Sequence, residues 1–236
     1  MSGQRLAIVT GASRGIGLAV AERLLDDSIR VVMLARSGDL LRAAAEPYGN
    51  HAIPIECDVA DPVAIDAMVQ RVRDEAGETP DIIVNNAGLF ELSPAHETDP
   101  DAFAQALNVN LVAPFRVVRA FLPGMRDRRR GHIVNIGSIA DRVAFPENGA
   151  YAASKFGLRG LHEVLRAELR GSGVRATLVS PGPVDTALWD EVDPDNRPGF
   201  SPRASMLNAD AVAAAVIYAI TQPAEINVDE LRLSRA

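Results

Sequence analysis

The sequence predicts an α/β fold: a single doubly wound domain spanning residues 1–236, with a parallel sheet covered by helices on both faces. Three observations predict it. Short apolar runs alternate along the whole chain with longer segments of helical periodicity, the pattern of successive strand–helix–strand units. The first such run passes directly into a glycine-rich turn and then a helix. Finally, 236 residues without an internal repeat or linker suffice for one large α/β domain with a substantial core.

Composition narrows the class. Hydrophobic residues make up 47%, the usual share for a globular chain, yet no apolar run approaches the roughly 20 residues of a membrane span. The first residues, Met1 to Ser13, lack a signal peptide's long apolar segment. A single cysteine, Cys57, excludes an internal disulfide and points to a cytoplasmic setting. The net charge of −7 argues against nucleic acid or an anionic membrane as partner. Arg126–Arg130 is a local basic exception near a predicted helix end, read as solvated surface. His51, His96, His132 and His162 show no metal-ligand spacing, so no metal is expected.

In order, Arg5–Thr10 reads as the first strand and Leu18–Leu25 as the first helix. Between them lies Gly11-Ala12-Ser13-Arg14-Gly15-Ile16-Gly17. Such a turn offers bare backbone N–H groups at a positive helix end, suited to a phosphate-bearing ligand. Arg30–Ala35 is the second strand. A dinucleotide site commonly has an acid at its end for the ribose hydroxyls, but this chain reads Ala35-Arg36-Ser37. A carboxylate would repel a 2′-phosphate and arginine attracts it, so Arg36 and Arg14 predict NADP rather than NAD. Leu40–Glu46 is a short helix. Ala52–Glu56 is the third strand, and Pro54 inside it marks a sheet edge. Asp58, beside Val59, is placed to accept from an adenine amino group or to hold a turn; Cys57 reads as an inert buried thiol. Pro62–Ala76 is a helix, and Asp81–Val84 the fourth strand. It ends in Asn85-Asn86-Ala87-Gly88, where small residues would let a cofactor lie across the strand end and the amides would tie strands together. A long helix spans about Asp101–Met125 with a break or bend near Pro114, and Asn110 inside it needs a polar partner if buried.

Ile133–Ile136 is a buried strand, followed at once by Ser138. Helix Ala150–Arg170 comes next, with Tyr151 and Lys155 four apart and therefore stacked on one face. A hydroxyl at a strand end, facing a phenol beside an ammonium, forms a usable carbonyl-reduction site, and the cation favours the ionised phenol. Strand Val174–Val179 leads to Pro181-Gly182-Pro183-Val184-Asp185-Thr186, a turn with backbone groups free for a nicotinamide amide. Residues 187–205, with Trp189 and three prolines, read as a substrate loop. Asn208–Thr221 is the last helix and Asn227–Leu233 the last strand. Phe90, Ile139, Ala140, Arg142, Phe145 and parts of Trp189 to Arg203 are candidate pocket walls. Arg142, Arg197 and Arg203 are candidates to grip a substrate carboxylate bidentately.

Taken together, Thr10-Gly11-x-x-x-Gly15-x-Gly17, Asp58, Asn85-Asn86-Ala87-Gly88, Asn110, Ser138, Tyr151-x-x-x-Lys155 and Pro181-Gly182 resemble the short-chain dehydrogenase/reductase family across essentially the whole chain. The resemblance implies a Rossmann-type fold with a seven-stranded parallel sheet. It also implies a homotetramer (or homodimer) in which the helices containing Asn110 and Tyr151 meet partner subunits. It makes Tyr151 the acid or base and gives Lys155 the roles of lowering the phenol's pKa and holding the nicotinamide ribose. Ser138 would polarise the carbonyl, and Asn110 would hold a relay water through a local helix distortion. Gly11, Ser13, Arg14, Gly15, Ile16, Gly17, Arg36, Asp58, Val59, Asn86, Ala87, Gly88, Tyr151, Lys155, Pro181, Gly182, Val184 and Thr186 would bind NADP, with Arg14 and Arg36 matching NADP-preferring members. The expected activity is interconversion of a secondary alcohol and a ketone or aldehyde. The short tail, Glu225–Ala236, is similar to the branch that oxidises small hydroxy acids and β-hydroxy amino acids and lacks the Val-Asp-Gly-Gly ending common in 3-oxoacyl-thioester reductases. Reduction of such thioesters, epimerase or dehydratase chemistry on a retained nicotinamide, and an NADP-binding sensor without turnover are the alternatives.

Overall fold

A computed structural model describes residues 4–77 and 79–236. Seven strands form one parallel sheet: β1 (Leu6–Thr10), β2 (Arg30–Ala35), β3 (Ala52–Glu56), β4 (Ile82–Asn85), β5 (Gly131–Ile136), β6 (Val174–Pro181) and β7 (Glu230–Leu233). Their order across the sheet is β3-β2-β1-β4-β5-β6-β7. The chain crosses from one half to the other between β1 and β4, and a crevice opens there at the strands' carboxyl ends. The central strands read as continuous apolar runs because both their faces are buried: Leu6, Ile8, Ile83 and Ile133 point to one side, and Ala7, Val9, Ile82 and Val134 to the other. Helices α1 (Gly15–Asp26), α2 (Gly38–Ala45) and α7 (Ala209–Thr221) cover one face. Helices α3 (Pro62–Ala76), α5 (Ala113–Asp127) and α6 (Gly149–Glu168) cover the other, with α4 (Pro100–Leu107) packed against α6.

Pro54 does lie in an edge strand, β3, where a missing N–H costs no ladder bond in the sheet interior. The break expected near Pro114 and the local helix distortion expected at Asn110 are one feature: α4 and α5 are joined by a π-helical turn over Asn108–Val112. Pro114 itself starts α5, where the first turn needs no N–H from it. One detail differs from the sequence expectations. Strand β7 begins at Glu230 instead of Asn227. The Asn227 side chain accepts from Ala176 N and donates to Ala176 O, both at 3.0 Å, so it occupies the backbone positions a strand would have used.

Candidate active site

The glycine turn closes by contact with β4. Gly11 has φ +68°, open only to glycine at low cost, and a Cβ there would lie 2.8 Å from Asn86 Nδ2. A Cβ on Gly17 would lie 2.3 Å from Gly11 O, so the first turn of α1 packs directly on the loop. Thr10 Oγ1 accepts from Asn86 N and Ala87 N, each at 2.9 Å, and Asn86 Nδ2 donates to Thr10 O at 3.0 Å. This lock holds the carboxyl ends of β1 and β4 together. No side chain caps α1, which leaves its leading N–H groups for a ligand.

Beside this turn opens a cavity of about 840 Å³. Gly11, Ser13, Arg14, Gly15 and Ile16 line it at one end, with Arg36, Asp58 and Val59 along that wall. Asn86, Ala87 and Gly88 lie in the middle, and Gly182, Val184 and Thr186 come from the turn after β6. Gly17 and Pro181 sit behind this wall as packing residues, and Asn110 also lies outside it. Arg14 and Arg36 are exposed at the cavity's edge and make no ion pair among the described residues. Asp58 Oδ1 accepts from Ala60 N at 2.9 Å and so holds its own turn. Burial pushes the Cys57 thiol up to about 11, which leaves it unreactive.

Ser138, Tyr151 and Lys155 meet on the far side of the cavity. Ser138 follows β5 and its Oγ accepts from Ala140 N at 3.1 Å, which fixes the hydroxyl at the strand end. Tyr151 stands in the first turn of α6, and Lys155 one turn on. Lys155 is buried; Nζ donates to Ile136 O at 2.9 Å and lies 5.5 Å from the Tyr151 ring centroid. Burial pushes the Tyr151 phenol up to about 12; a hydrogen bond with Ser138 works against that shift, and the Asp141 carboxylate adds to it. The phenol is thus raised, not lowered as the family resemblance implies, and burial is the main cause. Burial also lowers Lys155 to about 8, with Asp141 opposing. Asn110 is buried and fully paired. Its Oδ1 accepts from Leu89 N at 2.8 Å, and Nδ2 donates to Leu89 O and to Ser154 Oγ, both at 2.9 Å. Its side chain therefore braces the loop after β4 against α6.

Beyond Tyr151 the cavity walls are aromatic. Phe90 meets the Tyr151 ring edge-on at 4.9 Å and the Trp189 ring at 4.9 Å, and Trp189 meets Phe200 at 6.2 Å. Arg197 stacks over Phe200 at 5.1 Å and is ion-paired with Glu147. Arg142 is outside the cavity, bound to Asp141 at 3.2 Å and to Glu230. Arg203 is outside it too, bound to Asp185 at 3.2 Å and to Asp190.

The model of the family described as short chain dehydrogenase matches residues 5–197. The chain belongs to that family. An uncharacterised oxidoreductase of Staphylococcus saprophyticus is 33% identical over 231 residues, covering 96% of this chain and 94% of the relative. A metagenomic short-chain oxidoreductase solved in complex with NADP is 34% identical with a TM-score of 0.84, covering 98% of this chain and 97% of that one. The closed form of serine dehydrogenase complexed with NADP+ is 29% identical with a TM-score of 0.88, covering 97% and 94%. This short-chain dehydrogenase is accordingly an oxidoreductase with a nicotinamide-cofactor fold. Asp141 and Glu147 were not foreseen as site residues. Each is one acid in a polar loop, and its partners, Ser180 and Arg197, lie 39 and 50 positions away.

Proposed function

We propose that this short-chain dehydrogenase is an NADP(H)-dependent oxidoreductase interconverting a secondary alcohol and a ketone or aldehyde, with Tyr151 as acid and base. The observation that carries the reading is one cavity with the glycine turn at one end and Ser138, Tyr151 and Lys155 at the other. The residues fit the cofactor: α1's uncapped N–H groups, and Arg14 and Arg36, which make no ion pair among the described residues, suit its phosphates. NADP in two similar solved structures supports that choice. When bound, it supplies the hydride for reduction or accepts it in oxidation.

The chain supplies orientation and the proton. Ser138 Oγ donates to the carbonyl oxygen and polarises it. Tyr151 delivers its phenolic proton to that oxygen as the alcohol forms. A phenol raised to about 12 is fully protonated at neutral pH, the state an acid needs. The Lys155 ammonium stabilises the phenolate left behind and would hold the ribose hydroxyls of the cofactor. Asn110 sits in a π-turn, and that turn would hold a relay water. Gly182, Val184 and Thr186 would hold the nicotinamide amide, and residues 187–205 would form the substrate loop. The chain acts in the cytoplasm. No helix among the described residues is long and apolar enough to cross a membrane.

The Tyr151→Phe protein tests this reading. Its turnover of the best carbonyl substrate should fall by about 10²- to 10⁴-fold while NADPH still binds. Undiminished turnover would overturn the mechanism.

A further inference from the structure

The walls beyond Tyr151 bear on what the enzyme accepts. The rings of Phe90, Trp189 and Phe200 run in edge-to-face contact outward from Tyr151, and Leu92, Phe145 and Met206 also line the cavity. Such a wall rewards contact with a flat apolar group and offers a charged one nothing in exchange for its water. The three arginines that would otherwise greet an anion are all engaged. Arg142 and Arg203 are ion-paired outside the cavity. Arg197 does line it, but its guanidinium is spent on Glu147 and on the Phe200 face. A substrate carboxylate would have to displace Glu147 or stand beside it, and both are unfavourable.

Glu147 is a built feature. It holds φ +62°, a strained backbone for a side-chain-bearing residue. Its carbonyl accepts from Ser93 N at 2.7 Å, which ties down the loop that follows Phe90. Its carboxylate ties down the loop that carries Trp189 and Phe200. One strained residue thus assembles the aromatic wall from both sides and neutralises its only lining arginine beyond Tyr151 among the described residues.

We infer that this pocket selects an uncharged alcohol or ketone bearing an apolar aromatic substituent, and that the Arg197–Glu147 pair excludes carboxylate-bearing substrates. The inference rests on the proposed catalytic reading for turnover, but the binding it states stands apart from chemistry. It departs from the hydroxy-acid branch to which the tail is similar.

Trp189 is the single tryptophan and lies in the wall, so its emission reports occupancy without any reaction. The purified protein, with NADPH present, is titrated with 1-phenylethanol and with mandelate, in which a carboxylate replaces the methyl group. The alcohol should perturb Trp189 with a Kd at least about tenfold below that of mandelate. Phe90→Ala should weaken the alcohol about tenfold. Glu147→Gln, which removes the acid and frees Arg197, should strengthen mandelate several-fold. Mandelate binding as tightly as the alcohol, no response to the alcohol, or a Glu147→Gln protein with unchanged mandelate affinity would each overturn the inference. Undiminished turnover in Tyr151→Phe with this selectivity intact would overturn the catalytic reading and leave the inference standing, and active turnover with mandelate preferred would remove the inference alone.

Discussion

Arg36 and Arg197 show how a neighbour decides what an arginine does. Arg197 faces Glu147 and is neutral as a pair, whereas Arg36 stands at the cavity edge with no carboxylate partner among the described residues. A free guanidinium there suits a 2′-phosphate, so Arg36→Asp should turn the cofactor preference from NADPH towards NADH. Charge-assisted bonds of about 1.5–3 kcal/mol make that a change of roughly ten- to hundredfold in the ratio of the two kcat/KM values. A ratio unmoved by the substitution would remove Arg36 from the phosphate site. Lys155 sets a pH limit. Its ammonium, lowered to about 8 by burial, discharges well before the Tyr151 phenol at about 12. With the acid still protonated but its cationic support gone, the reduction rate should hold near neutrality and fall as pH rises through about 8. A profile flat up to pH 10 would show that the ammonium is not needed. Tyr151 and Lys155 were legible in the sequence because helical spacing alone brings them together. The Asp141–Ser180 and Glu147–Arg197 pairs were not, since tertiary folding creates them.

Among the elements, the buried strands were the most legible. β1, β2 and β5 sit between two helical layers, so their sequences are mostly apolar and their positions follow from that, even with His132 and Asn135 buried in β5. β7 is half-buried at an edge, and Asn227 imitates its first pairing, so its start was misplaced. The π-turn at Asn108–Val112 has no propensity signature of its own, and only the family resemblance at Asn110 pointed to a distortion there. It arises where Asn110 must reach Leu89 and Ser154 at the same time. The glycine turn was legible as spacing, and the structure adds the reason: α1 can approach β4 only if no Cβ intervenes at Gly17. Gly17→Ala should therefore push α1 away from Gly11. Overpacking of this kind costs about 1–3 kcal/mol and should lower both the melting temperature and the affinity for NADPH by calorimetry. An alanine variant with unchanged affinity would show that the turn tolerates opening.

At the scale of the molecule, the sheet and its crevice follow from strand order, but the outer surface asks for something more. Phe103 on α4, Phe115 on α5, and Phe156 and Val164 on α6 are 36%, 46%, 44% and 54% exposed. Phe156, Gly160 and Val164 repeat every four residues, so they form a stripe along one side of α6. Lys155 and Leu158 on the same helix are buried inward, so the stripe looks away from the core. A helix apolar on its inner face and again on its outer one is incompletely covered in a single chain. We expect the covering surface to be the same helices of a second copy, giving a homotetramer, or a homodimer as its half. A stable interface needs about 800 Å² from each partner, and two long helices side by side offer that scale of surface. Phe156→Glu places a charge in the exposed stripe, next in sequence to the buried Lys155 but about 100° around the helix from it. Sedimentation equilibrium should find the unmodified protein as tetramer or dimer and the Phe156→Glu protein as smaller species. Because α6 also carries Tyr151 and Lys155, the dissociated form should lose turnover along with rigidity of that helix. A monomeric unmodified protein with full activity would show that the stripe is surface and nothing more.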